Sequence, residues 1–462
     1  MSSLSKINVD QDRTNHIMSQ EIQYNNYSDL LNVADTPLFF DEGKRVTTNG
    51  SLKVLSLFSG CGGMDLGFEG GFICHRKSVN PNYDWISKEV NDNWVKLNKL
   101  RFETVFANDI LKEAFMTWTR YMSRFGVDNS VFHSESIVDL VKLHNSGVNV
   151  FPADIDVVTG GFPCQDFSVA GKRKGFESSM GHNGKKTDGS LPTEETRGKL
   201  YYWMKQVIDI VKPKVFIAEN VKGLVSLGDV KEIIQSDFAS ADGNDYIVLP
   251  PQVLDAGNFG VPETRERVIF IGIRKSALRE EALKALSSAS IPPEYDPYPK
   301  PSHNHSANDP SLLAPVTCRD VFEGLPEPEH STDLSHRTYS KAKYMGSHCQ
   351  GQSEVNLDGL GPTIRSEHHG NIEFRRLSHE HGGRNIDELE KGMTERRLTP
   401  RECALIQTFP PDYPFIYYKG YTKTPAVSTS GAYKVIGNAV PPMLAYSIAY
   451  RLQSQWNVFF KE

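Results

Sequence analysis

The sequence has few cysteines, and none is placed as in a disulfide-stabilised or zinc-binding protein. Six cysteines in 462 residues show neither CxxC pairing nor paired histidine spacing. A disulfide framework and a metal site are therefore not indicated, and we expect reduced thiols and no bound metal. The six lie far apart along the chain, at Cys61, Cys74, Cys164, Cys318, Cys349 and Cys403.

Long apolar runs are also lacking. No stretch approaches the roughly 18 residues needed to cross a membrane. The first residues, 1–12, are polar and do not have the pattern of a signal peptide. We therefore expect a cytoplasmic protein without a membrane partner.

The chain carries no excess of positive charge. Lys and Arg number 51 against 57 Asp and Glu, which gives a net charge of −6. Taken globally this argues weakly against nucleic-acid binding, but association with phosphate depends on local fields. A nucleic-acid-binding function would require basic residues clustered on one face. The apolar fraction of 39% is that of an ordinary globular protein. With 462 residues, the chain is long enough for two or three domains.

The segment 156–175 places a thiol where a substrate could reach it. Apolar residues at 155–158 predict a buried strand, and two glycines end it before a Phe-Pro turn. Cys164 thus follows a strand's carboxyl end, the edge where open α/β sheets bind ligands. A structural cysteine is an equal alternative for the thiol taken alone. The basic run around Lys172 and Arg173 favours the reactive interpretation, because positive charge stabilises thiolate and can meet phosphate.

Two earlier strand ends predict a nucleotide-like cofactor. Residues 54–58 form an apolar run followed by a glycine turn at 59–63 and a helix start, where backbone amides can bind an anion. A dinucleotide oxidoreductase fits this turn equally well. The run 105–110 contains Asp109, an acid suited to ribose hydroxyls. It comes late for a compact unit, so we interpret about 73–103 as an inserted surface excursion.

Further along, the strand at 215–221 carries a carboxylate. Glu219 lies between apolar strand residues and an Asn-Val turn, where we expect it to be held with a raised pKa. Another turn and strand follow at 258–272 and contain Arg265 and Arg267. From about residue 275 to 395 the alternation stops, and Pro, His, Ser and Gly predominate. The basic and aromatic mixture there is typical of a groove-reading surface, although a salt-bridged surface would look similar.

Together these motifs resemble the DNA (cytosine-5) methyltransferase family. Pro-Cys-Gln at 163–165 is similar to the family's catalytic loop. The turn that begins at residue 58 is similar to the family's first motif. Glu-Asn-Val at 219–221 is similar to the second catalytic motif. The family's Gln-x-Arg-x-Arg is found at 263–267 with Glu263 in place of Gln. Leu-Thr-Pro-Arg-Glu at 398–402 and Gly-Asn-Ala-Val-Pro-Pro at 437–442 are similar to its last elements.

The resemblance implies S-adenosylmethionine as cofactor, double-stranded DNA as substrate and a flipped-out cytosine. It implies catalytic roles for Cys164, Glu219, Arg265 and Arg267. It implies cofactor binding by Phe58, Gly60, Gly62, Asp65, Leu66, Asp109, Ile110, Ser136, Ile137, Pro163, Asn438 and Val440. Ser136 stands where the family has an acid. DNA contacts are expected from Gln165, Ser168, Lys172, Arg173, Arg365, Arg375 and Arg376.

The expected fold is α/β, with a Rossmann-like methyltransferase sheet and a second, smaller, mostly irregular or β target-recognition domain. We expect an N-terminal extension at 1–50, a catalytic domain at 51–285 with a mobile loop at about 164–196, a target-recognition domain at 286–430 and a C-terminal return at 431–462. The family setting implies a monomer paired with a cognate restriction endonuclease.

Three alternatives compete with a DNA methyltransferase. An RNA cytosine methyltransferase could use the same motifs, but a variable region of this length suits duplex sequence reading. A catalytically silent DNA-binding or scaffold protein conflicts with the intact Cys164, Glu219, Arg265 and Arg267. A dinucleotide oxidoreductase leaves Pro163, Cys164 and Glu219 unexplained.

Overall fold

The structure is a computed structural model that describes residues 50–163, 200–226, 228–366, 371–419 and 422–461. The N-terminal extension before residue 50 lies outside these ranges, as does the loop 164–196. So do five of the expected site residues, Cys164, Gln165, Ser168, Lys172 and Arg173.

The described part of the chain contains thirteen strands. In chain order they are β1 (Leu52–Leu57), β2 (Ile73–His75), β3 (Ile86–Glu89), β4 (Trp94–Leu97), β5 (Phe102–Asn108), β6 (Phe132–His133), β7 (Val157–Gly161), β8 (Val215–Val221), β9 (Tyr246–Val248), β10 (Gln252–Asp255), β11 (Glu266–Arg274), β12 (Phe374–Arg376) and β13 (Arg396–Arg397).

The described α-helices alternate with the strands only in the first part of the chain. They are α1 (Gly63–Glu69), α2 (Lys112–Met122), α3 (Ile137–Asn145), α4 (Leu200–Val211), α5 (Val230–Ala239), α6 (Glu280–Leu286), α7 (Cys318–Phe322), α8 (Leu334–Arg337), α9 (Ile386–Glu390), α10 (Pro400–Ile406), α11 (Thr429–Asn438) and α12 (Pro442–Phe459), with a helical turn at Ala241–Asn244. None of these is long and apolar enough to span a membrane.

One large sheet organises the first half of the chain. Its order is β10-β11-β8-β7-β1-β5-β6, and β9 also pairs with β11. The strands from β8 to β6 are mutually parallel, whereas β11 runs antiparallel to β8. The parallel strands are apolar and almost fully buried, as expected where helices cover both faces. The sheet has the predicted Rossmann-like arrangement.

The C-terminal helix α12 returns to the first helix of the chain. Cβ atoms built on Gly63 and Gly67 of α1 would overlap Val440 O and the Ala445 side chain. Only glycine allows this approach, so the first glycine turn and the last family motif are packed directly together. The expected C-terminal return corresponds to this contact.

The excursion expected at 73–103 is more than a surface insert. Strands β2, β4 and β3 form a separate antiparallel sheet. Trp85 is 3% exposed and packs edge-on against Tyr446 of α12. Lys77 forms an ion pair with Asp320 at 2.7 Å. The insert therefore packs against both the C-terminal helix and the second region, residues 286–430.

The second region contains little regular structure. Its described strands are the two short partners β12 and β13, and its helices α7 to α9 have only four or five residues each. Helix α10 begins with a capping box in which the Thr399 and Glu402 side chains bond each other's backbone amides. The region is irregular, as predicted, with less β-structure than expected.

Candidate active site

The parallel strands bring the expected site residues to one edge of the sheet. Strands β8, β7, β1, β5 and β6 lie side by side and run in the same direction. Their carboxyl ends therefore form a single edge, which is where open α/β sheets bind ligands. Described residues at or after these ends are Glu219, Pro163, Phe58, Asp109 and Ser136, in the order of the strands.

Glu219 has a buried carboxyl group that is paired with Arg267. Its side chain is 10% exposed, and Oε1 lies 2.8 Å from Nε of Arg267. Burial raises the pKa of Glu219 above its ordinary value, although Arg267 and Arg265 oppose the shift. A carboxyl group with a raised pKa can hold a proton near neutral pH and donate it to a substrate nitrogen.

The strand that leads to Cys164 is fitted around Glu219. Gly161 pairs with Glu219 across β7 and β8, and a Cβ on Gly161 would lie 2.8 Å from Glu219 Oε2. The Asn220 amide donates to Phe162 O at 3.2 Å. The backbone leading to Pro163 and Cys164 is thus fixed by the Glu-Asn pair of β8.

Arg267 lies between Glu219 and a cavity of about 200 Å³. Its Nη1 donates to Glu266 O at 2.8 Å, while Nε faces Glu219. The cavity is also lined by Thr264 and Thr363, whose hydroxyl groups donate to the carbonyl oxygens of Gly361 and Thr264, respectively. Arg267 is therefore positioned between the Glu219 carboxyl group and the cavity.

Arg265 does not reach this cavity. Its side chain is fully buried, and its two Nη atoms donate to the carbonyl oxygens of Ile364, Gly437 and Ala439 at 2.7 to 2.9 Å. Glu263 lies 3.4 Å away and accepts a hydrogen bond from the Ile364 amide. The geometry does not support the predicted direct role in catalysis. Arg265 instead holds the turn at 263–267 to the second region and to the end of α11.

The cofactor turn after β1 offers both space and a fixed carboxylate. Gly60 has a φ of +55°, and a Cβ built there meets nothing within 4 Å. Its amide donates to Asp109 Oδ2 at 3.0 Å, and the Leu111 amide donates to Oδ1 at 2.8 Å. Ile110 beside it is 45% exposed. An open backbone, an anchored acid and an exposed apolar side chain fit a nucleoside-containing cofactor.

Asp65 and Leu66 do not face that space. Both are at most 1% exposed, and Asp65 Oδ2 accepts a hydrogen bond from Trp118 Nε1 at 2.6 Å. Burial raises the pKa of Asp65 to about 6. Gly62, with a φ of +82°, packs against the same indole ring. Direct cofactor binding by these three residues is not supported, since they form the support beneath the turn.

The remaining expected cofactor residues have mixed surroundings. Phe58 adopts a left-handed backbone, with a φ of +53°, directly after β1. Ser136 caps α3, and its hydroxyl accepts a hydrogen bond from the Val138 amide. Ile137 and Val440 are buried, whereas Asn438 is exposed at the end of α11. The Ser136 side chain thus has a structural role at the position where the family carries an acid.

Two of the three arginines expected to read DNA are buried in an alternating ring of ion pairs. Arg375 pairs with Glu388 at 2.6 Å and faces Glu402 at 3.6 Å. Arg376 is fully buried and pairs with the glutamates at 327 and 388. The ring is closed by Arg396, which pairs with Glu327 and Glu402. The guanidinium groups of Arg375 and Arg376 are occupied by these ion pairs, so base reading by the two arginines is not supported. Arg365 is more accessible and pairs with Glu373 at 2.7 Å.

The family model for C-5 cytosine-specific DNA methylases matches residues 52–454. The chain belongs to this family. The match spans the sheet, the insert, the second region and the C-terminal return. The predicted family and fold class are confirmed, and so is the enzyme class, DNA (cytosine-5) methyltransferase.

Individual relatives agree with this assignment. The chain is 30% identical over 423 residues to the Type II methyltransferase M.BsuRI of Bacillus subtilis, covering 89% of this chain and 81% of the relative. It is 27% identical to M.NgoFVII of Neisseria gonorrhoeae, covering 86% and 85%. A solved structure, the Dnmt2 methyltransferase of S. pombe, has the same fold with a TM-score of 0.50 and 15% identity, covering 87% of this chain and 99% of that one.

Several residues of this methyltransferase site were not predicted from the sequence. Asn220 and Gly161 are adjacent to predicted residues, so a search for what holds the catalytic loop could have found them. Trp118 has no linear signal, because it reaches Asp65 from another helix. The hydroxyl residues Thr264 and Thr363 come together only when the second region packs on β11. Among the described residues, no group of three or more side chains forms a metal site.

Proposed function

We propose that this methyltransferase transfers a methyl group from S-adenosylmethionine to carbon 5 of a flipped-out cytosine in duplex DNA, through a covalent adduct on Cys164. The observation that carries the proposal is the Glu219 carboxyl group. It is buried, paired with Arg267 and packed against Gly161, three residues before Cys164. The strand that precedes Cys164, β7, is thus paired with the strand that carries Glu219, β8.

The chemistry requires these two groups to act together. Cys164 as thiolate adds to carbon 6, and protonated Glu219 binds nitrogen 3 and the exocyclic amine, so the electron pair moves towards carbon 5. S-adenosylmethionine, when bound, supplies the methyl group. Loss of the carbon 5 proton then restores the double bond and expels the Cys164 thiolate. Arg267 keeps the Glu219 side chain in place and is our candidate to bind the base carbonyl oxygen.

The cofactor would be held by the turn after β1. Gly60 leaves its backbone open, and Asp109 is anchored for contact with ribose hydroxyls. Ile110 offers an apolar surface for the adenine ring. Phe58 lies at the same edge, and Pro163 precedes the nucleophile. These five residues support the proposal, whereas Asp65, Leu66 and Gly62 act beneath them.

The base must leave the duplex, because a stacked cytosine cannot receive a nucleophile on its face. The cavity beside Arg267 provides room for the base edge. We propose that the segment 164–196, which lies outside the described residues, closes over it, with Gln165, Ser168, Lys172 and Arg173 contacting DNA. The Type II names of the relatives favour a host-protecting role beside a restriction endonuclease.

The test is bisulfite sequencing of DNA from cells that express the wild type, Cys164→Ala or Cys349→Ala. We expect methylated cytosines in one sequence context for the wild type and for Cys349→Ala, and none for Cys164→Ala. With S-adenosylmethionine present, a duplex with 5-fluorocytosine at that site should form a denaturation-stable complex with the wild type and with Cys349→Ala but not with Cys164→Ala, since the fluorine cannot leave as a proton does. Methylation by Cys164→Ala would overturn the covalent mechanism. Faster methylation of transfer RNA than of any duplex would overturn the DNA substrate.

A further inference from the structure

A second ion pair lies at the active-site cavity and has no role in the chemistry described above. Lys222 Nζ lies 2.7 and 2.9 Å from the two carboxylate oxygens of Glu266. The two side chains are 55% and 43% exposed. Both residues line the cavity together with Arg267.

The chain places this pair directly beside the catalytic one. Lys222 follows the last residue of β8, three positions after Glu219, and Glu266 precedes Arg267 in β11. Val221 and Arg267 are paired across the two strands. The catalytic and the exposed ion pairs are therefore neighbours at one strand end.

Each of the two cations in the described lining of the cavity, Arg267 and Lys222, already has a carboxylate partner. Arg267 is matched by Glu219 and Lys222 by Glu266. A flipped nucleotide brings its own phosphates to this entrance, and these need a cation. Arg267 cannot change partner without leaving a buried carboxyl group alone, which is costly. Lys222 can, because water and salt screen an exposed pair and little is lost when it opens.

We propose that Lys222 exchanges Glu266 for a DNA phosphate next to the target cytosine. Glu266 holds the ammonium group at the cavity entrance in the DNA-free enzyme and releases it when DNA binds. Lys222 is thus a positioning residue for the substrate. The proposal rests on the proposed function and adds one phosphate contact to it.

The test measures the salt dependence of binding to a fluorescein-labelled synthetic duplex. This duplex is unmethylated and contains the target sequence identified by bisulfite sequencing. Losing one phosphate contact flattens the slope of log affinity against log salt by about 0.9. When salt is raised from about 50 to about 200 mM, the fold-loss of affinity should therefore be about 3.5 times smaller for Lys222→Gln than for the wild type. Lys222→Arg keeps the charge and should retain the wild-type slope.

The matched control is the exposed pair Lys231 and Glu232 on α5, 3.0 Å apart and away from the cavity. Lys231→Gln removes the same charge and should leave the slope unchanged. Glu266→Gln should strengthen binding at low salt, because it removes the competing carboxylate. That gain should disappear in the Lys222→Gln background, whereas Glu232→Gln should produce none.

Methylation kinetics give the second measurement. Lys222→Gln should raise the KM for DNA and leave the single-turnover rate at saturating DNA within about twofold of the wild type, as expected when binding is lost equally in ground and transition states. An unchanged salt slope for Lys222→Gln, or equal flattening in Lys231→Gln, would overturn the proposal. Wild-type protein that neither methylates nor binds duplex DNA would instead overturn the proposed function itself.

Discussion

A Cβ atom on Gly161 would lie 2.8 Å from Oε2 of Glu219, which is closer than real Cβ contacts allow. The two residues are partners in the β7 and β8 register. Glu219 cannot simply swing aside, because Arg267 holds its other oxygen. A glycine at position 161 is thus required by the position of the Glu219 carboxyl group.

We predict that Gly161→Ala slows methyl transfer far more than it weakens DNA binding. A displacement of about 1 Å in a catalytic group can reduce the rate by about 100-fold. Gly160→Ala is the matched control. Its new methyl group would meet the Sδ atom of Met204, the end of a flexible side chain that can move. Single-turnover rates of both variants at saturating DNA are the measurement, and equal rates would contradict the role of Gly161.

The sequence was sufficient to predict the strand ends and a raised pKa for Glu219, because apolar runs and the residues that follow them are local features. The placement of Arg265 was not predictable in this way. Spacing puts Arg265 and Arg267 two positions apart and makes them look equivalent. Their difference depends on the carbonyl groups of Ile364 and Gly437, which come from distant parts of the chain.

We predict opposite consequences for conservative changes at these two arginines. Arg265→Lys loses the fork that bonds three buried carbonyl groups, and we expect it to lower the free energy of unfolding by about 3 kcal/mol. Arg267→Lys keeps a positive charge beside Glu219 and should lower the free energy of unfolding less than Arg265→Lys does, while slowing methyl transfer strongly. Urea unfolding and single-turnover kinetics separate the two effects. A catalytic loss in Arg265→Lys at full stability would restore its predicted catalytic role.

The raised pKa of Asp65 makes stability depend on pH. Burial raises this pKa from 3.8 to about 6. The folded state therefore holds the proton more tightly than the unfolded state, and the resulting stability is complete below pH 3.8 and lost as the pH rises through about 6. Relative to Asp65→Asn, which can still accept the Trp118 hydrogen bond, the wild type should lose on the order of 3 kcal/mol over that window.

The measurement for Asp65 is urea unfolding of both proteins at a series of pH values. The difference between them isolates Asp65 from the other titrating groups. A difference that stays constant with pH would show that the Asp65 carboxyl group is not desolvated as the structure indicates.

The second region shows where the sequence is ambiguous. A basic and aromatic mixture is compatible with a groove-reading surface and with a salt-bridged surface. Which of the two forms depends on whether acids from elsewhere reach the arginines. Glu327 and Glu388 come from separate segments and do reach Arg376, so the ring could not be predicted from local composition. The irregular backbone also offers no periodicity from which burial could be inferred.

One experiment can distinguish an arginine that reads DNA from one that stabilises the fold, because Arg365 lies outside the ring of ion pairs and Arg376 lies within it. Arg365 has a side chain that is 27% exposed, whereas the Arg376 side chain is fully buried between two glutamates. If Arg365 contacts a guanine edge, Arg365→Ala should cost about 1–3 kcal/mol at one base-pair position and relax the preference there. Arg376→Ala leaves buried carboxylates unpaired, so it should lower stability by about 3–5 kcal/mol and weaken methylation of all duplexes alike.

The measurement is a panel of methylation rates on duplexes varied one base pair at a time, with thermal unfolding of each variant alongside. Arg319→Ala is the matched control, since Arg319 is also paired with an acid in the second region but is 59% exposed. It removes an exposed positive charge without opening the ring, so it should retain both stability and sequence preference. A uniform loss for Arg365→Ala would assign Arg365 to a phosphate contact, because a phosphate carries no base identity. A position-specific loss for Arg376→Ala at wild-type stability would mean that the ring opens on DNA and that the original prediction for this arginine was right.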